Sequence, residues 1–361
     1  MHTPFDVIIA INISKYTNKI YILKKSRFFS SKKYKCKISI YCEANLKGMI
    51  VMNEIKLVKV DPGKYAVKAE CEGNTFYTKS LIDKIENVAT DTGYRVKFFN
   101  QEYVVGDDSI PFDYDFEKHK LETKILVNLA ISKLVGKGER INLVVGMPIE
   151  HWLDRDRRHK YEQFIASSSQ MSVNERQLDI PMSFKINKVV AVPESIGHVA
   201  RNKKYQNRTV GVLDCGGANF QGAIYKNGLP LRESCFTLNE GGYFYLNSIK
   251  KAINSKFKLN YQDYQISELI EYGSQHERRE EIHTEVERVT RMHLNKVIRE
   301  CKARNWNLED MDIIVVGGGS NYFKSIICDL LPNATISDDA IWDNVRGFGV
   351  LGEALFSGKS K

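Results

Sequence analysis

The sequence predicts an α/β protein built as two halves with a cleft between them. Short apolar, β-branched runs alternate along the chain with longer stretches whose apolar residues recur at helical spacing. Two of those runs, opening at Val7 and Val210, end on a polar side chain, turn, and return as a second strand. Two such hairpins half a chain apart suggest an internal duplication. A third run, Ile313 to Val316, feeds three glycines and then a helix start, a place where backbone can lie flat against a ligand.

The second hairpin is the most informative. Val210 to Leu213 forms its first strand, Asp214 follows, Gly216 and Gly217 make the turn, and Phe220 to Tyr225 returns toward Asn227-Gly228. Glycines there let backbone amides approach an anion with no Cβ in the way. Asp214 beside a phosphate needs a cation between, and hydrated Mg²⁺ suits a hard oxygen ligand. An ordinary β-hairpin can also carry two glycines and an acid, so the motif alone does not decide. In the first hairpin, Val7 to Ile13 and Lys19 to Leu23 flank a polar turn, and Asn12 stands where Asp214 stands in the second.

Between these hairpins the chain alternates strands and helices. Strands are expected over 38–41, 55–60, 65–69 and 102–106, with Asp61-Pro62-Gly63 as a turn. Residues 119–135 read as a helix, 141–148 as a buried strand and 152–164 as a charged surface helix. Residues 189–195 form a strand that runs into Pro193-Glu194-Ser195 before a helix start at Ile196. An anion at that position is favoured electrostatically, so capping competes with catalysis as the role of Glu194. A basic connector over 202–208 marks a boundary between the halves. Helices follow over 243–257 and 277–303; His276, His283 and His293 lack metal-ligand spacing and are expected on the surface.

Composition bounds the rest. At 361 residues, 43% hydrophobic and 27% charged, the chain suits two globular domains. No apolar run reaches about 18 residues, and the amino terminus lacks signal-peptide order. Seven cysteines without CxxC spacing suggest free thiols, hence a cytoplasmic protein without membrane attachment. The net charge is +9, and no acid occurs between Val7 and Cys42 among many lysines. Direct nucleic-acid contact is weighed there against a solvated lysine-rich face, and the latter is expected.

Taken together, the three loops resemble those of the actin-like ATPase superfamily. Val7–Leu23 looks like its first phosphate hairpin, Val210–Tyr225 its second, and Ile313–Phe323 its adenosine loop. Val144-Val-Gly-Met-Pro-Ile-Glu-His-Trp-Leu-Asp-Arg155 and Val190-Ala-Val-Pro-Glu-Ser-Ile-Gly197 narrow the resemblance to the bacterial plasmid-segregation actins, the ParM-like group. Val345-Arg-Gly-Phe-Gly-Val-Leu-Gly352 fits that family's returning helix.

The resemblance implies two actin-like (RNase H-like) domains. They would be 1–200, completed by 345–361, and 201–344, with ATP or GTP and Mg²⁺ between them. It implies that Asp214 holds the metal through water and that Glu194 positions the attacking water. Gly216, Gly217, Ala218 and Asn219 would give amides to the phosphates, and Lys19 would reach them with Asn12 and Ser14. Gly317, Gly318 and Gly319 would face the nucleoside, opposite Asn247 and Lys250. Asn12, Ser14 and Gln221 depart from the family's acid, glycine and acid, which bears on hydrolysis more than on binding. The implied function is a nucleotide-hydrolysing filament that moves plasmid DNA through a DNA-binding adaptor on centromere DNA. The alternatives are a small-molecule kinase of the same fold or a filament scaffold with weak hydrolysis.

Overall fold

The computed structural model describes residues 7–11, 21–25, 39–40, 55–89, 92–110, 117–167, 171–175, 178–181 and 183–357. The chain falls into two compact units, Met1–Asn53 and Glu54–Lys361. In the first, Val7–Ile11 pairs antiparallel with Tyr21–Lys25, and Ser39–Ile40 adds a third strand. The two expected strands of the first hairpin are therefore present and paired. The turn joining them, with Asn12, Ser14 and Lys19, lies outside the described residues.

The second unit is organised by two sheets of related design. One runs in the order 185–193, 140–147, 56–62, 66–71, 74–79. Its first three strands are parallel, and its last three form an antiparallel meander. Arg140–Met147 is its centre; Leu143 to Met147 is buried throughout, the continuous apolar run expected of a parallel strand covered on both faces. In the other sheet, Thr209–Cys215 pairs antiparallel with Phe220–Lys226 and parallel with Ile313–Val316. Each sheet thus has a hairpin whose first strand ends in an acid, Asp61 or Asp214, beside a later parallel strand. A third, antiparallel sheet of five strands includes Tyr94–Phe98 and Gln101–Val105.

Helices fall close to their expected spans. Leu121–Ser132 buries Ile125, Leu126 and Leu129 against the first sheet. The charged helix Arg155–Ala166 buries only Tyr161 and Ile165. Asp154 caps it, accepting hydrogen bonds of 3.0 Å from the amides of Asp156 and Arg157. Gly242–Phe257 and Arg279–Ala303 pack together over the second sheet. Here one expectation fails: His293 is buried, not on the surface. Its Nδ1 lies 3.1 Å from Glu240, and its ring packs near Tyr245 and Phe323. The helical period that places Val289 and Val297 inward carries His293 to the same face.

The last helix, Asp343–Phe356, returns to the first sheet and packs on strands 56–62 and 140–147. Between the two sheets lies an apolar layer that includes Val144, Val192, Val212, Tyr225, Val316 and Phe348. Burial of such side chains contributes about 1.5–3 kcal/mol each, which holds the acid-bearing ends of the two sheets over one cavity. No helix among the described residues is long and apolar enough to cross a membrane.

Candidate functional site

The two acid-ended hairpins and the glycine loop after Val316 converge on a cavity of about 500 Å³. Three carboxylates line it: Asp61, Glu194 and Asp214. Lys68 lines it as well, on the returning strand of the Asp61 hairpin, with its ammonium 3.0 Å from Asp61 and 3.2 Å from the carbonyl of Ile341. The opposite wall is Gly216, Gly217 and Asn219, and beyond them Gly317, Gly318 and Gly319.

The glycine hairpin is held from behind. The carbonyls of Gly216, Gly217 and Ala218 accept from the amides of Gly242, Tyr243 and Gly241 at 2.9, 2.8 and 3.2 Å. The start of helix Gly242–Phe257 therefore fixes the loop through its carbonyl groups. No described residue accepts from the amides of Gly217, Ala218 or Asn219. Such amides on a glycine turn form a concavity suited to an anion. Across the cavity the Asp61 turn comes so close that a Cβ on Gly217 would sit 2.0 Å from the Cβ of Tyr65. Gly317 adopts φ +86°, and a side chain there would meet the carbonyl of Cys215 at 2.3 Å and Asp214 at 2.4 Å.

Asp214 is almost wholly buried. The side-chain amide of Asn344, from the last helix, donates to its Oδ2 at 3.0 Å. Burial pushes its carboxyl up to about 7, and the neighbouring charges of Glu194 and Asp61 push the same way against Asn344 and Lys68. Asn344 also accepts from the amide of Ser195 at 3.1 Å. Ser195 carries φ 77°, and its hydroxyl meets Tyr225 at 3.0 Å. A non-glycine residue in that conformation costs about 1–3 kcal/mol, so these contacts hold the turn that aims Glu194.

Glu194 does not cap a helix. The short helix Gly197–Arg201 has no side-chain cap, and Glu194 is buried facing the cavity. Its Oε2 accepts from the Gln221 amide at 2.6 Å, while Gln221 itself accepts from the amide of Ile149 at 2.8 Å. That second bond fixes which end of Gln221 points at Glu194. The buried ammonium of Lys118 lies 3.3 Å from Glu194 Oε1 and also donates to the carbonyl of Pro62. Oε1 itself accepts no hydrogen bond among the described residues. One carboxylate oxygen is thus held by Gln221, and the other is paired with the buried ammonium of Lys118.

Of the residues expected at a site, Glu194, Asp214, Gly216, Gly217, Asn219, Gly317, Gly318 and Gly319 line this one cavity. Ala218 is buried behind it. Asn247 and Lys250 are not among its lining residues; Lys250 pairs with Asp263, and Tyr243 and Leu246 are what that helix presents. Asn12, Ser14 and Lys19 lie outside the described residues, and the hairpin facing Gly217 is 56–71. Sequence reading passed over Asp61, Gly63 and Lys68. Their signal was present: a β-branched strand, an acid, a glycine two residues on and a lysine on the returning strand. Asn344 and Lys118 left no such signal.

The carboxylates and the open amides together fit a phosphate carried with a hard divalent cation. Among the described residues there is no group of three or more His, Cys, Asp or Glu arranged to hold a metal by themselves.

Residues 60–197 match the family model described as the actin like proteins N terminal domain. The fold is that of actin-like proteins of known structure. An apo pSK41 ParM protein shares 19% identity at TM-score 0.62, over 84% of this chain and 98% of its own. A ParM from a 15-stranded filament of Clostridium botulinum shares 16% at TM-score 0.65, over 83% and 99%. Ta0583, an archaeal actin homologue solved in complex with ADP, shares 14% at TM-score 0.64, over 82% and 98%. No curated protein matches the chain by sequence.

Proposed function

We propose that this chain, an actin-like protein in its fold and in its match over residues 60–197, is a filament-forming nucleoside triphosphatase of the plasmid-segregation kind. The observation that carries the reading is the meeting of three loops on one cavity: the Asp61 turn, the Gly216 turn and the Gly317 loop. ATP or GTP would lie with its phosphates between the first two and its nucleoside against the third. Relatives were solved with ADP or ATP and as filaments, which supports nucleotide binding coupled to self-assembly.

In this reading the hairpin 56–71 takes the role expected of 7–23. Lys68 would neutralise phosphate charge from one side, and the amides of Gly217, Ala218 and Asn219 would bind it from the other. Asp214 and Asp61 would hold waters around Mg²⁺, which when bound supplies charge to the phosphate oxygens. Glu194, held by Gln221 and paired with Lys118, would orient the attacking water. Orientation and charge are most of what such a reaction asks of a protein. The two sheets with their loops would be the two actin-like domains, meeting near residues 194–208, and the last helix would complete the first. Attachment to plasmid DNA would run through a DNA-binding adaptor, in the cytoplasm.

Light scattering at micromolar protein tests this. It should rise when ATP or GTP is added with Mg²⁺ and fall as phosphate is released. A protein that stays monomeric with every nucleotide, and passes phosphate to a small molecule, belongs instead with the kinases of this fold.

A further inference from the structure

Two ammonium groups stand beside the carboxylates of the cavity, and they differ in reach. Lys68 lines the cavity; Lys118 does not, and it is only 2% exposed. Lys118 lies just ahead of helix Leu121–Ser132. Its ammonium donates to the carbonyl of Pro62, in the Asp61 turn, and sits 3.3 Å from Glu194 Oε1. On the other side, Glu194 Oε2 accepts from Gln221 at 2.6 Å. Gln221 stands opposite Asp214 on the strand that returns from the Gly216 turn. The Glu194 carboxylate is therefore strung between the two turns that face each other across the cavity. Lys118 ties it to the Asp61 turn, and Gln221 ties it to the Gly216 turn.

We infer that Lys118 is a positioning residue for the hydrolytic step, coupling the grip of the Asp61 turn on phosphate to the aim of Glu194. The inference rests on the reading of Glu194 as the group that orients the attacking water. Lys118 does not line the place where phosphate would lie, so its effect on the reaction runs through its partners. Stability alone does not call for the pair. Taking an ammonium and a carboxylate out of water is costly, and apolar side chains of similar volume often hold a fold as well or better. What the charged pair adds is direction. It sets one oxygen of Glu194 against a cation anchored on the Asp61 turn, while Gln221 fixes the other oxygen. A change in the separation of the two turns therefore moves the carboxylate, and the orientation of a reacting group is what hydrolysis is sensitive to.

A double-mutant cycle on the full chain tests this. Phosphate release is measured at saturating ATP or GTP with Mg²⁺, and light scattering follows assembly so that rates are compared at equal polymer. Lys118→Met should lower kcat about 10²-fold, the loss expected when an orienting group is displaced by about 1 Å. Glu194→Gln should lower it at least as far. In the Glu194→Gln background, Lys118→Met should cost less than about threefold more, because a residue that acts through Glu194 has nothing left to act on. The double variant should also melt above Lys118→Met alone, since it leaves no unpaired buried carboxylate. Should Lys118→Met not fold, Lys118→Gln takes its place in the cycle; it drops the charge and keeps a donor for the Pro62 carbonyl. Lys118→Met at the parent rate, with Glu194→Gln slow, overturns the inference and leaves Glu194 in its role. An equal loss in both backgrounds also overturns it, since Lys118 would then act on the phosphate or on the fold and not through Glu194. A double variant that melts no higher than Lys118→Met would show that the two charges do not pair. Glu194→Gln hydrolysing at the parent rate would overturn the role of Glu194 itself, and that of Lys118 with it.

Discussion

Gly217→Ala offers a sharp perturbation of the cavity. The added Cβ would lie 2.0 Å from the Cβ of Tyr65, at the root of that side chain and not at a movable tip. Carbon atoms pack at about 3.5–4.0 Å, so the two phosphate-facing turns must part by on the order of 1.5 Å. Overpacking of this kind costs about 1–3 kcal/mol, a fall of a few degrees in melting temperature for a unit of this size. The larger effect should be on nucleotide. Amides moved back from a phosphate lose a charged hydrogen bond of about 1.5–3 kcal/mol, or roughly 10–100-fold in affinity. Tyr65→Gly removes the colliding Cβ and leaves the Tyr65 Cα at 3.2 Å, tight but tolerable. The double variant should recover most of both losses. The assay is titration of a fluorescent ATP or GTP analogue with Mg²⁺, run beside thermal unfolding. If Gly217→Ala binds and melts like the parent protein, or if Tyr65→Gly rescues neither property, the two turns do not meet as described and the reasoning fails.

Three further perturbations act on the carboxylates. Glu194→Ala should slow phosphate release about 10²–10⁴-fold while polymers still form and last longer; unchanged hydrolysis with lower thermal stability would make Glu194 a structural residue only. Gln221→Glu replaces the amide that donates to Glu194 at 2.6 Å with a second buried carboxylate, so phosphate release should slow and thermal stability should fall. Phosphate release and melting unchanged by the substitution would show that Gln221 does not hold Glu194. In the nucleotide-free protein without Mg²⁺, Asp214→Asn should stabilise the fold at pH 8 but not at pH 4. Asp214 holds its proton more tightly folded than unfolded, rising from 3.8 to about 7, so its ionisation costs stability progressively through that window and fully above it. The full cost is roughly 4 kcal/mol, readable from urea unfolding at the two pH values, and equal gains at both would refute the burial explanation.

Much of this architecture could be read from the sequence where the information is local. Strand and helix spans follow from periodicity, and the glycine runs after Asp214 and Val316 sit where expected because a turn is chosen by its own residues. Glu194 was legible as a site candidate, though whether it capped a helix or faced a cleft was not. What decides that is Gln221 and Ile149, brought to it by another strand and another helix. The hairpin opposite Gly217 shows the limit clearly. Val7–Leu23 and Lys56–Cys71 both look like strand, turn and strand, and only pairing selects between them. Strand 56–62 lies parallel to 140–147, a choice made by pairing with residues 85 positions further along the chain (Ile141 with Lys56). Asn344 reaches Asp214 across 130 residues of chain, and no spacing announces it. Asn247 and Lys250 are expected opposite the nucleoside, but a helix presents several faces, and Gly242, Tyr243 and Leu246 lie on the one that meets the cavity.

The central claim is that nucleotide phosphates sit between the Asp61 and Gly216 turns and that this occupancy drives assembly. Electron cryomicroscopy of the protein incubated with Mg²⁺ and a slowly hydrolysed ATP or GTP analogue addresses both parts at once. The account predicts filaments whose subunits carry phosphate density between Lys68 and the amides of Gly217 to Asn219, with the nucleoside against Gly317 to Gly319. Absence of polymer, or nucleotide density at the 7–23 hairpin in place of the Asp61 turn, would contradict it.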